Sequence, residues 1–300
     1  MMRIVVTGAT SFIGKAFIET ASQKGWEITA VVRRNSPKAS SIADIKGVKI
    51  VELNMDEYAD IAKAGEFDCL AHFAWDGTRG AQRMDSELQK RNYENSVALI
   101  KAAINSGCKR ILTAGSQAEY GNCDGVITEE TECKPNTEYG VYKYKLFTTA
   151  KELCEKAGVT YKEPRFFSLY GPGDFEKTLI MSMIDNMRNN RRCELTECIQ
   201  MWDFLYVKDA VNAVAALCEL DCEDGAYNLG SGDVRQLKAY VEELYEILGS
   251  SSELVYGAVP YPKTGMVSIT PSVKKTETQL NWKAKYSFAE GIGEIVRSLK

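Results

Sequence analysis

Ser116, Tyr139 and Lys143 form a set that can move a proton to or from an alcohol or carbonyl oxygen. Tyr139 and Lys143 stand four residues apart, which on a helix places both on one face. The lysine ammonium can then lower the phenol pKa and reach a cofactor ribose. A phenol so activated exchanges a proton with a substrate oxygen while the Ser116 hydroxyl hydrogen-bonds that oxygen. Taken alone, Tyr-x-x-x-Lys equally describes an ordinary amphipathic pair.

A second candidate lies at the start of the chain, where RIVVTGATSFIGKAF (3–17) reads as strand, Gly-spaced turn and helix. Such a turn offers backbone N–H groups and the positive end of a helix dipole to a pyrophosphate. The spacing is Gly8-x-x-Ser11-x-x-Gly14, with a hydroxymethyl group at the middle position. Ser11 sits just before the helix, where serine is a favoured N-cap. The next strand ends VVRRNS, with Arg33 and Arg34 where an acidic residue would meet an unmodified adenosine ribose. Two arginines there suit a 2′-phosphate, favouring NADP over NAD; the alternative is a pair of solvated surface charges.

Stepping outward, short β-branched runs alternate with helical periodicity. IVVT (4–7), ITAVV (28–32), VKIVEL (48–53), FDCLAHF (67–73), RILTAG (110–115) and TYKEPRFF (160–167) predict strands, and 83–106 and 138–157 predict helices. The alternation implies an α/β fold, a Rossmann-type doubly wound parallel sheet covered on both faces. After residue 168 the pattern is irregular, with a helix near 175–190, strands at 203–207 and 226–230, and helices at 208–220, 236–248 and 288–299. We read a nucleotide-binding domain from 1–168 plus 202–229, and a smaller, mostly C-terminal α/β substrate lobe from 169–201 plus 230–300. The cleft between them is the expected site.

Composition narrows the partners. A net charge of −4 over 300 residues gives no general attraction to nucleic acid or to an anionic membrane. Nine scattered cysteines without a C-x-x-C pair, and a single histidine, argue against a metal site and suit reduced thiols used as apolar filler. No apolar segment is long enough for a signal peptide or a membrane span, so the expectation is a soluble cytoplasmic protein with a small-molecule ligand.

Together these residues resemble one family over nearly the whole chain: extended short-chain dehydrogenase/reductases of the NAD-dependent epimerase/dehydratase type, which act largely on nucleotide sugars. The resemblance rests on TGATSFIG (7–14), HFAW (72–75), NYENSVALIKAA from Asn92, GSQAEYG (115–121), YGVYK (139–143), RFFSLYGPGD (165–174), WDFLYVKDA (202–210), YNLGSG (227–232) and LNW (280–282). It implies that Tyr139 is the general acid/base, Lys143 its tuner and ribose ligand, and Ser116 the partner of the reacting oxygen. Gly8, Ser11, Phe12, Ile13 and Gly14 would surround the pyrophosphate, Asn54 and Met55 the adenine, and Phe73 and Ala74 the rest of the cofactor. Trp75, Arg79, Gln117, Ser168 and Trp202 would contact substrate. His72 reads as a packed strand residue and Asn92 as a tie between helix and strand ends. The helices at 83–106 and 138–157 would pair with their copies in a homodimer.

Departures from the family pattern refine the reaction. Dehydratases carry an Asp-Glu pair after the serine position, whereas Gln117 and Ala118 follow here, which argues against dehydration. Trp202 replaces an arginine that commonly grips a diphosphate, and Ser168 replaces an asparagine. Other cations would then serve, among Lys177, Arg188, Arg191, Arg192, Arg235 and Lys263; Arg79 can bind an anion from its loop, and Glu119 either touches substrate or is a polar loop residue. The leading reading is an NADPH-dependent 4-ketoreductase of a nucleotide-linked keto-deoxy sugar in polysaccharide synthesis. A 4-epimerase with tightly bound NAD is the alternative, and a non-catalytic dinucleotide-sensing module a third.

Overall fold

A computed structural model describes residues 1–261 and 266–299. Seven parallel strands form its central sheet: β1 (Arg3–Thr7), β2 (Glu27–Val32), β3 (Val48–Glu52), β4 (Cys69–His72), β5 (Arg110–Thr113), β6 (Thr160–Phe166) and β7 (Gly225–Leu229). Their spatial order is β3-β2-β1-β4-β5-β6-β7. A short strand, Gly115–Ser116, follows β5 and pairs with β6 through Ser116 and Phe166.

Side chains alternate across the sheet, and both sides are apolar. Ile4, Val6, Ile28 and Ala71 pack on one face beneath α1 (Phe12–Gln23), while Val5, Val31, Leu70 and Ile111 pack on the other beneath α2 (Ser86–Asn105) and α3 (Glu138–Ala157). A fourth helix, α4 (Val207–Glu219), joins the first face through Ala210, Val211 and Val214. This double burial is why the strands read as unbroken apolar runs.

The chain leaves β1 toward β2 on one side and β4 on the other, so a crevice opens beyond the carboxyl end of β1. Several predicted boundaries shift for local reasons. The periodicity over 83–106 runs past a break: residues Gly80–Met84 form a separate 3₁₀ turn, and α2 starts only after Asp85, whose carboxylate caps Leu88 N–H. The 203–207 strand is only Phe204–Tyr206 and pairs with Ser168–Tyr170 outside the central sheet. The helix near 175–190 spans Leu179–Arg188. A 3₁₀ stretch at Met55–Ala64 and a helix at Lys274–Leu280 are additions that weak periodicity concealed.

The glycine-spaced turn depends on two close approaches. A Cβ on Gly14 would lie 2.1 Å from the Gly8 carbonyl oxygen, and one on Gly8, whose φ is +65°, would lie 2.6 Å from the Ala74 nitrogen. Ser11 is different: its backbone is extended (φ −73°, ψ 167°) and its hydroxyl accepts the Gly14 N–H at 3.1 Å. The middle position therefore asks for a capping group, and serine supplies one. Accordingly, Ser11→Ala is expected to cost about 1 kcal/mol of stability, and Gly14→Ala about 3 kcal/mol or more through backbone overlap. Urea denaturation of both variants checks the order; a Gly14→Ala loss no larger than that of Ser11→Ala would overturn this account.

Candidate functional site

The crevice beyond β1 is a cleft of about 470 Å³ lined by Gly8, Ser11, Arg33, Arg34, Phe73, Ala74 and Trp75, among others. Its floor is the glycine turn at the amino end of α1, where Gly8 and Gly14 leave no room for a Cβ against neighbouring backbone. That open backbone face fits a pyrophosphate. Tyr58 and Lys38 also line this cleft without having been signalled in sequence. Phe12 is half-buried against the core and borders an adjoining cleft of about 390 Å³ with Lys15, Lys38 and Lys208, while Ile13 also packs on the core.

Both arginines after β2 face carboxylates. Arg33 pairs with Asp76, and Arg34 pairs with Glu57 at 2.7 Å. The Arg34 hydrogen bonds, then the Asn54 N–H, pull the Glu57 carboxyl down to about 2. Asn54 itself is occupied in capping: its Oδ1 accepts the Arg34 N–H at 3.2 Å, and its own N–H donates to Glu57 at 2.8 Å. Met55 opens that 3₁₀ stretch, packed against the second core face.

Ser116, Tyr139 and Lys143 come together at the end of β5 and the start of α3. The Ser116 Oγ accepts the Ala118 N–H at 3.2 Å, and the Ser116 side chain is the foremost neighbour favouring ionisation of the buried Tyr139 phenol. Lys143 is buried, donates to the Ala114 carbonyl at 2.8 Å, and lies 3.8 Å from the centre of the Trp75 ring. Burial pulls its ammonium down to about 8. The phenol differs from the expectation that the lysine lowers it. Burial raises Tyr139 above its ordinary value, and the groups that pull back are Ser116 first and then the Arg83 guanidinium.

Arg83 is the residue that spacing did not reveal. Its guanidinium sits 4.6 Å from the Tyr139 ring centre and donates to the Thr78 carbonyl at 3.3 Å. Arg79, the more conspicuous cation of that loop, is committed elsewhere: it pairs with Asp174 at 3.2 Å and lies over Phe175 at 4.7 Å, tying the loop to the GPGD turn. A four-residue difference in a loop decides which arginine reaches the phenol, and periodicity carries no information there.

Other positions fall into place around this set. Trp75 stands edge-on to Tyr139 with ring centres 6.3 Å apart, and its Nε1 donates to Gln89 at 2.6 Å. Gln117 keeps a buried Oε1 with no hydrogen-bond partner among the described residues. Ser168 is paired with Phe204 across two short strands. Trp202 packs on Phe204, opposite Arg235, with Nε1 unpartnered among the described residues. Glu119 corrects both sequence readings, being fully buried in an ion pair with Arg165 at 3.1 Å. His72 is buried between Thr7 at 2.6 Å and Ser96 at 2.8 Å, and desolvation pulls it down to about 3, so its ring is neutral. Asn92 brackets the Asp76 backbone with two hydrogen bonds.

Of the proposed diphosphate cations, Arg191 pairs with Asp185, Arg192 lies 3.7 Å from Glu194, and Arg235 pairs with Glu243 at 2.5 Å. Lys177 and Arg188 line a groove on the outer helix 179–188, and Lys263 lies outside the described residues. Among the described residues there is no group of three or more metal-ligating side chains, and no helix is long and apolar enough to cross a membrane.

Removing the cation over the phenol is expected to raise the pH at which Tyr139 ionises. Arg83→Met should shift it upward by about half a unit, the size of a half-exposed cation–π contact. Absorbance titration at 295 nm, taken as the difference from a Tyr139→Phe background, measures it; Arg79→Met should leave the curve in place.

Comparison with known proteins adds an independent line. A family model described as the NAD dependent epimerase/dehydratase family matches residues 4–230. Relatives include the dTDP-4-dehydro-6-deoxyglucose reductase of Escherichia coli, 22% identical over 99% of this chain and 97% of the relative. The CDP-abequose synthase of Salmonella typhimurium is 24% identical over 99% of this chain and 98% of the relative. In fold, the chain is similar to a solved UDP-glucose 4-epimerase of Thermotoga maritima with UDP-glucose, with a TM-score of 0.90 at 22% identity, covering 99% of this chain and 98% of that one.

Proposed function

The chain belongs to the NAD dependent epimerase/dehydratase family, and on that premise we propose that it is an NADPH-dependent 4-ketoreductase of a nucleotide-linked keto-deoxy sugar. The observation that carries this reading is the convergence of Ser116, Tyr139 and Lys143 beside the glycine-turn cleft. A bound nicotinamide supplies the hydride to the carbonyl carbon. Tyr139 gives its proton to the carbonyl oxygen, which Ser116 orients by a hydrogen bond. Lys143, fixed on the Ala114 carbonyl, holds positive charge beneath the site. The half-buried Gln117, with its unpartnered amide oxygen, is available to a sugar hydroxyl.

Arg33 and Arg34 at the rim of the cleft support the phosphorylated cofactor, because each guanidinium has donors beyond those given to Asp76 and Glu57. The same two carboxylates support the second reading, a 4-epimerase that keeps NAD. The reading also takes residues 169–201 and 230–300 as the substrate lobe, and the protein as a cytoplasmic homodimer joined through α2 and α3.

Two measurements test it. Tyr139→Phe is expected to lower turnover of a nucleotide-linked 4-keto-6-deoxy sugar by about 10²- to 10⁴-fold, with cofactor binding spared; turnover like the wild type would sink the mechanism. Titration of the protein with NADPH and NADH is expected to favour NADPH, and Arg33→Ala and Arg34→Ala should each weaken NADPH about tenfold or more while leaving NADH alone. Equal affinities, or protein purified with NAD in place, would favour the epimerase.

A further inference from the structure

Beneath the reacting side chains lies a charged cluster with almost no access to water. Glu119 Oε1 accepts the Ser116 backbone N–H at 2.7 Å, and its Oε2 meets Arg165 at 3.1 Å. Arg165 Nε donates to Glu163 at 3.0 Å, and all three side chains are at most 2% exposed. The guanidinium is clamped between Tyr120 and Phe147, with ring centres 4.7 and 4.8 Å away. Thr113 and Tyr161 close the far side through a 2.6 Å hydrogen bond. Apolar residues of similar volume would fill this space at no greater cost in stability, so the charges call for another reason.

We propose that Glu119 is a positioning residue for the reaction, anchoring Ser116 through its backbone amide and setting a carboxylate, paired with Arg165, beneath the Tyr139–Lys143 pair. The inference rests on Ser116, Tyr139 and Lys143 being the reacting set. The groups that face the pair can be named from each element. The Ala114 carbonyl lies beyond β5, Trp75 and neutral His72 belong to the β4 end, Arg83 stands over the phenol, and Glu163 and Arg165 project from β6. Glu119 and then Glu163 oppose the desolvation of Lys143, and the same two carboxylates, in the same order, push the phenol up. Burial holds the Glu163 carboxyl well above the usual range. A negative charge raises the pH of proton release from a lysine and from a tyrosine alike. Removing it must therefore move release from the pair to lower pH.

The test uses protein saturated with NAD and three variants. Glu119→Gln keeps an oxygen for the Ser116 amide and removes the charge. It should retain turnover at its own optimum while the Tyr139 ionisation, read at 295 nm against the same variant carrying Tyr139→Phe, moves down by about half a pH unit. Glu119→Asp keeps the charge but shortens the reach, so the titration should stay in place while kcat falls about tenfold with KM little changed. Glu119→Ala should do both. An unmoved titration in Glu119→Gln, or a full kcat in Glu119→Asp, would overturn the proposal and leave a plain structural ion pair. Should Glu119→Gln fail to fold, the Asp variant alone decides through kcat. If Tyr139→Phe leaves turnover intact, the underlying reading fails instead, so the two failures are separable.

Discussion

Burial of the central sheet on both faces is the constraint from which the site follows. With Ile4 and Val6 sealed on one side and Val5 on the other, no polar group on β1 can reach water through a face. Buried polar side chains of the sheet must therefore be satisfied internally, as Glu163 and Arg165 are within β6. Thr7 and His72 pair with each other at the ends of β1 and β4, Thr113 with Tyr161 at the ends of β5 and β6, and Ser116 caps the sequence just past β5. The crevice at this edge is thus bounded by groups already held in one orientation. A ligand entering it meets fixed dipoles rather than mobile chains, which is the arrangement that makes electrostatic stabilisation effective.

The same dryness sets the proton chemistry. A lysine removed from water loses affinity for its proton, and Lys143 is buried against Ala114 and Trp75. A phenol removed from water holds its proton more tightly, and Tyr139 is buried too. Left to desolvation, the two would drift apart and the lysine would cease to be a cation. The surrounding charges act against that drift from opposite sides: carboxylates beneath favour the ammonium, and Arg83 above favours the phenolate. Function of this kind depends on a balance among three ionisable neighbours, Glu119, Glu163 and Arg83, rather than on a single pair.

How much of this is legible in the sequence follows from the range of each interaction. The strands, α1 and α3 are legible because burial imposes a period that short windows detect. Ser11 as N-cap is legible because capping is local, and the structure confirms the bond to Gly14. The proximity of Tyr139 and Lys143 is legible because one helix carries both. By contrast, Glu119 and Arg165 lie 46 positions apart and meet only because Gly115–Ser116 pairs with β6. No local pattern marks a buried glutamate as different from a loop glutamate. Arg83 is hidden for another reason: its loop has no period, and Arg79 beside two glycines is the more visible cation. The partners of Arg33 and Arg34 are also non-local, 43 and 23 residues away.

Those partners bear on the cofactor. Arg33 and Arg34 are 64% and 46% exposed in their side chains, so their ion pairs with Asp76 and Glu57 are screened by solvent and hold weakly. A doubly charged phosphate arriving at the rim would compete with two weakly held carboxylates and would gain charge-assisted, bidentate contacts of roughly twice the strength of neutral ones. An unphosphorylated ribose offers only hydroxyls, for which a carboxylate such as that of Glu57 is the natural acceptor. The rim is therefore neutral in sum but divided in preference, and which half dominates depends on whether the guanidiniums or the carboxylates turn inward. Because the pairs are solvent-exposed, that turn costs little, and the selectivity of this edge rests on the ligand's own charge.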